Sequence, residues 1–156
     1  MILIRQVTIV LAAALLLSAC GKPSLGQAGI QGESSIATVR DLTSAYERRD
    51  IDAFMEKVSS AFPNRTAFQR SIEKVFAEYR KIQFKPLFNR SLITVPFKDG
   101  IKVAFTWEGD WQTGGGKVVK DGARVTLVLD RGTYKLADIE GKNPFIPSEG
   151  PSPSRE

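Results

Sequence analysis

The sequence predicts an α+β domain, with three N-terminal helices packed on a curved antiparallel β-sheet. Three observations predict it. Apolar residues between 36 and 79 recur at i, i+3, i+4 and i+7, the spacing of one helix face. From 82 to 139 the pattern changes to alternation, the period of half-buried strands. The chain has 156 residues, 42% of them hydrophobic and 25% charged, which suits one globular domain and not two. A run of helices followed by a run of strands places the helices on one face of an antiparallel sheet. The chain has no His and a single Cys. That excludes His-based triads, His/Cys zinc sites, CxxC redox chemistry and an internal disulfide.

The first element is an address rather than part of the fold. Arg5 and the initiator amine make a short positive start, and residues 7–17 are an uncharged run of eleven. A membrane span needs about 20 apolar residues, whereas the core of an export signal needs about 7–15. Residues 1–19 therefore read as a cleaved leader. It ends in Leu17-Ser18-Ala19-Cys20, which resembles the lipobox of bacterial prolipoproteins. The resemblance implies cleavage before Cys20, lipid attachment at Cys20, and a membrane-anchored protein facing the periplasm. Gly21 follows the Cys where that family's inner-membrane members usually carry Asp, which favours the outer membrane. Residues 20–35 are rich in Gly and Ser without apolar periodicity and read as a flexible tether. Residues 147–156 carry three Pro and three Ser and read as a disordered tail. The folded domain is then 36–146.

Within it, Ile36, Val39, Leu42 and Tyr46 mark a first helix, with Ser34 or Ser35 as N-cap. Asp50 reads as the N-cap of a second helix whose apolar face is Ile51, Phe54, Met55 and Val58. Pro63-Asn64 ends it and starts a third, marked by Phe68, Ile72, Val75, Phe76 and Tyr79, which the periodicity makes the longest. Residues 82–88 and 92–97 are candidate strands. Each contains a proline, Pro86 and Pro96, which cannot donate to a ladder and so belongs at an edge or a bulge. Asp99-Gly100 is a hairpin signal. Ile101, Val103, Phe105 and Trp107 then alternate with polar neighbours, residues 113–122 read as a loop, and Val125, Leu127 and Leu129 alternate again. A turn at 130–132 leads into a last strand over 134–139.

This order of elements resembles the NTF2-like (cystatin-like) superfamily. The segment from Ala45 to Phe54, with Tyr46 and Arg49-Asp50 ahead of the second helix, is similar to that family's first turn. The paired runs 122–129 and 132–139 are similar to its closing hairpin. The resemblance implies a cone with a pocket between helices and sheet. It does not imply a reaction, because isomerases, dehydratases, carriers and scaffold domains share this architecture.

If the cone holds, Tyr46, Trp107, Trp111 and Tyr134 are the candidate pocket residues, with Phe54 and Phe76 assigned to the core. The family's isomerases use a carboxylate base beside a tyrosine hydroxyl. Asp41 and Asp138 are available carboxylates, but neither falls on a catalytic motif, so no catalytic residue is assigned. Asp138 and Glu140 share a strand face, yet the oxygen-ligand pattern of a hard-cation site is missing, so no metal site is assigned. Gly114-Gly-Gly116-Lys117 fails the phosphate-loop spacing and reads as a hairpin loop able to gate a pocket beside Trp111. No cofactor motif is present.

Between residues 57 and 102, Lys and Arg outnumber acids ten to three. Arg70, Lys74 and Lys81 form a candidate basic surface on the third helix, suited to anionic headgroups or an acidic partner. An exported, lipid-anchored chain does not meet nucleic acid, despite a pI of about 9.5. The expectation is a non-catalytic envelope lipoprotein that binds a small apolar ligand or an envelope partner protein. The alternatives are a scaffold without a pocket and an isomerase- or dehydratase-like enzyme.

Overall fold

The computed structural model describes residues 25–88, 93–97 and 100–148. The leader, Cys20 and the tail beyond Ser148 lie outside the described residues. The chain divides at Ile30, and residues from Gln31 onward make up the compact unit described below. No described helix is long and apolar enough to cross a membrane.

The described residues hold three helices, α1 (Leu25–Glu47), α2 (Ile51–Glu56) and α3 (Arg65–Glu78), followed by five strands. The strands are β1 (Tyr79–Leu87), β2 (Ile93–Phe97), β3 (Gly100–Thr113), β4 (Val118–Leu129) and β5 (Leu136–Gly141). All pair antiparallel, in the order β1-β3-β4-β5, with β2 also on β3. One edge of β3 is shared end to end: β1 takes Thr106 to Thr113 and β2 takes Gly100 to Val103. Pro86 and Pro96 thus both sit in strands with one ladder partner among the described residues, which suits a missing N–H.

The first helix begins at Leu25, within the stretch expected to be a tether. Residues 36–47 are docked through buried Val39, Leu42, Ala45 and Tyr46. Once that nucleus exists, each residue added upstream forms a hydrogen bond without a new nucleation cost. Gly26, Gly29 and Gly32 each weaken the extension by about 1 kcal/mol relative to Ala but do not stop it. Ser35, expected at the tether's end, is fully buried. With 23 residues α1 is the longest described helix, and α3, expected to be longest, has 14.

The turn after α1 shows what the Arg49-Asp50 pair does. Arg49 adopts the left-handed region at φ 55° and donates its guanidinium to the carbonyls of Phe76 and Tyr79 at the end of α3. Asp50 then caps α2, accepting from the N–H of Ala53 at 3.0 Å. This helix stops at Glu56, short of Pro63, because residues 57–59 leave to bridge β5. The Ser59 N–H donates to the Leu136 carbonyl and the Leu136 N–H to the Lys57 carbonyl, both at 2.8 Å. That bridge occupies the start of the outer edge of β5, at Leu136.

Strands begin and end differently from the alternation pattern. The first starts at Tyr79, directly on α3, so Lys81 belongs to β1 and not to the helix. The loop between β3 and β4 is only residues 114–117, because Val118 to Gly122 continue the ladder on Gln112 to Glu108. The last strand begins at Leu136, after Asp130 has folded the preceding turn by accepting from Gly132 and Thr133. Inner-face residues Ile101, Val103, Phe105, Trp107, Trp111, Val125, Leu127 and Leu129 meet the apolar faces of the helices in one core.

Candidate functional site

The inner face of β3 builds the centre of the domain. Odd-numbered residues face inward, so Trp107, Gly109 and Trp111 stand in a row. The Trp111 ring lies over Gly109, where a Cβ would come within 2.3 Å of it. Only glycine leaves that space open. The two indoles pack edge to face at 6.0 Å. The Trp111 Nε1–H donates to the Tyr46 hydroxyl at 2.7 Å, which donates to the Phe145 carbonyl at 2.8 Å. Burial raises the Tyr46 phenol pKa above its ordinary value, even against the opposing effect of the Trp111 bond.

Phe145 is the residue that sequence reasoning missed. Gly141 turns the chain out of β5 at φ +98°, a conformation that suits glycine. The next residues do not continue the strand. They fold inward and place the Phe145 ring 5.0 Å from Phe54, 5.2 Å from Tyr46 and 5.8 Å from Phe84. Phe145 is 1% exposed. The space where the family resemblance expects a pocket is therefore filled by Phe145, from the segment that follows β5.

The sequence-predicted pocket residues consequently fall apart into two groups. Tyr46, Trp107 and Trp111 are fully buried and form this centre; they do not line an opening. Tyr134 stands half-buried in the β4–β5 turn at φ 57°. Two hollows on the described surface lie elsewhere. One of about 350 Å³ is lined by Glu47, Gln83, Phe84, Lys85, Glu108 and Asp110 among others. Another of about 440 Å³ lies beside Ser59, Arg65 and Lys135. Neither is lined by Tyr46, Trp107 or Trp111.

One carboxylate does face inward. Asp121 stands opposite Gly109 in the β3–β4 register, on the inner face and on the stretch of β4 that β5 does not pair. Its carboxylate accepts from the Lys142 ammonium, from the Ser148 N–H at 3.0 Å and from the Gly122 N–H at 2.7 Å. Burial alone would raise its pKa, but these donors outweigh burial and hold it below the ordinary aspartate value. The Lys142 ammonium also lies 5.9 Å from the centre of the Trp107 ring. In contrast, Trp107 Nε1 is buried without a hydrogen-bond partner, a costly state for a donor.

The remaining candidates stand apart from this centre. Arg70 and Lys74 are exposed on α3, and Lys81 is exposed on β1, so the three do not share one helix face. Asp41 is exposed and pairs with Lys57 at 2.9 Å. Glu140 pairs with Lys102 across the outer face at 2.6 Å, and Asp138 accepts from the neighbouring Ile139 N–H. Gly114 to Lys117 make a tight hairpin with Gly116 at φ +86°, and Gly114 lies against Arg80. Among the described residues no group of His, Cys, Asp and Glu is placed to hold a metal.

No family model matches the chain, nor does any curated protein. Solved structures do match in fold. A ketosteroid isomerase-like protein from Erwinia carotovora atroseptica is 15% identical, with a TM-score of 0.54 over 69% of this chain and 91% of that one. A pinacolase from Penicillium brevicompactum is 12% identical, with a TM-score of 0.55 over 78% and 87%. An NTF2-like protein of unknown function from Exiguobacterium is 15% identical, with a TM-score of 0.51 over 65% and 93%. At these identities the likeness is one of architecture, and the described domain has the NTF2-like fold.

Proposed function

We propose that this chain is an envelope lipoprotein, anchored through Cys20 and facing the periplasm, whose NTF2-like domain acts by binding a partner protein rather than by catalysis. The observation that carries the reading is the closed, apolar interior. The space between helices and sheet is filled by Phe145, Trp107, Trp111 and Tyr46, and the buried polar residues among those described are Ser35, Thr43 and Ser59, none of them acid or base. Tyr46, Trp107 and Trp111 present no surface to a substrate, and the inner-face carboxylate of Asp121 is held by Lys142 and Ser148, so no described group of this centre is free to move a proton. Confinement to a membrane raises the domain's effective concentration near other envelope proteins. The outer membrane is favoured over the inner by Gly21 after the Cys.

A second reading, an isomerase- or dehydratase-type enzyme, is favoured by two groups. Asp121 is a carboxylate on the inner face, and Tyr46 is a hydroxyl within it. In the closed arrangement Asp121 is already engaged by Lys142 and Ser148.

Native mass spectrometry of the protein purified gently from envelopes tests the choice, beside crosslinking in intact cells. The binding reading expects a bare mass apart from the lipid, with a discrete protein adduct on crosslinking that Cys20→Ser weakens. A small molecule retained at one equivalent would overturn it and move the enzyme or ligand-carrier reading ahead.

A further inference from the structure

We propose that residues 142–148 are a displaceable plug, an internal occupant of the domain that opens as one unit while helices and sheet stay folded, with the Lys142–Asp121 pair as its catch. The segment is built unlike the rest of the interior. Strand pairing ends at Gly141, opposite Val125, so among the described residues β4 from Val118 to Arg124 has a ladder partner only on its β3 side. Instead of completing that edge, the chain turns at Gly141 and enters the core with one side chain, Phe145.

What holds it there is a short set of side-chain contacts. The Phe145 carbonyl takes the Tyr46 hydroxyl. The Phe145 N–H is satisfied within the segment, by Asn143 Oδ1 at 3.0 Å. The Asp121 carboxylate is engaged on one oxygen by Lys142 and on the other by the Ser148 N–H. Each of these attachments can be released without breaking a β-ladder. Asp121 is also placed to act as a catch, since it lies on the stretch of β4 beyond its last pairing with β5, beside the segment that leaves β5 at Gly141.

The plug is also an imperfect occupant. Trp107 Nε1 remains without an acceptor beneath it, although the Lys142 ammonium reaches the same ring. A segment selected only to complete the core would be expected to satisfy that donor. Opening would expose three polar groups in an apolar wall: the Tyr46 hydroxyl and the N–H groups of Trp107 and Trp111.

Native-state hydrogen exchange on the full chain, across a series of low denaturant concentrations, tests this. The Phe145 N–H should exchange through an opening with little denaturant dependence, faster than the N–H groups of Phe105 and Trp107 in β3. In Asp121→Asn the Phe145 rate should rise by about tenfold, the scale of one lost charge-assisted hydrogen bond, while Phe105 and Trp107 keep their rates. The same Phe145-selective rise should follow added salt in the wild type, which weakens the ion pair and needs no variant to fold. Exchange of Phe145 with the same rate and denaturant dependence as Phe105 would overturn the proposal and make the segment ordinary core. An equal rise at all three positions would overturn it too.

Discussion

Trp111 and Phe145 meet on the same tyrosine and are buried alike, at 0% and 1% exposure, yet they are held in opposite ways. Trp111 belongs to β3, which is paired on both sides, with Ile82 across one ladder and Val119 across the other. Phe145 belongs to a segment with no ladder at all. Burial measures how much water a side chain has lost. It does not measure how much of the structure must come apart for the side chain to leave. In one case two ladders must open, and in the other a handful of side-chain contacts.

The largest expected effect tests that difference directly. Trp111→Ala should lower the free energy of unfolding by about 3–5 kcal/mol, the usual range for deleting a buried aromatic. Phe145→Ala removes an equally buried ring but should cost measurably less. A side chain in a segment that opens alone cannot contribute more than that opening costs. Chemical denaturation of both variants decides it, and equal losses would break the comparison.

A smaller effect should appear where the two regions join. Tyr46→Phe removes the hydroxyl that links Trp111 to Phe145, leaving a donor on one side and an acceptor on the other. A loss of about 1–3 kcal/mol in the same measurement is expected. A loss below about 0.5 kcal/mol would show that the two regions are coupled by packing alone.

The smallest effect is in pH. Asp121 has a lowered pKa in the folded chain, so its contribution is complete above the unfolded aspartate value, about 3.9, and is lost as pH falls through the folded value. Wild-type stability should therefore fall more steeply below about pH 4 than that of Asp121→Asn. Asp130, held low by the Thr133 N–H and hydroxyl and the Gly132 N–H, contributes a slope of the same sign that the variant keeps. Identical acid limbs in wild type and variant would show that the catch does not bear on stability.

Residue by residue, the legible parts of this molecule are those governed by a period. The alternation at Ile101 to Trp107 and Val125 to Leu129 placed the inner face correctly, and Phe54, Ile72 and Val75 lie on the helix faces expected. The turn at Arg49-Asp50 was legible because capping is local chemistry. Three features were not, each because a distant element decides it. Leu25 to Ser35 has a tether's composition and becomes helix as an extension of a docked helix. Lys81 continues the helical run of basic residues, but the pairing of Ile82 with Trp111 claims it for a strand. Phe145 stands between Pro144 and Ile146-Pro147, without any period, and its burial depends on Tyr46, 99 positions away. The candidate site suffers the same limit. Its aromatic residues were identifiable by type, whereas the closure over them comes from a segment whose local sequence resembles a tail.

The turn at Gly141 also has a mechanical consequence. A chain pulled at its C-terminal end transmits force first through residues 148 to 142, because they lie between the load and β5. The Ser148 and Lys142 contacts on Asp121 would yield one after another, followed by withdrawal of a single ring, before β5 felt any tension. Contacts loaded in sequence fail at low force, whereas the β3–β4 ladder would share a shear load across twelve paired positions. The end of this chain is thus a soft link in series with a stiff sheet, and tension on it would empty the interior without dismantling the walls.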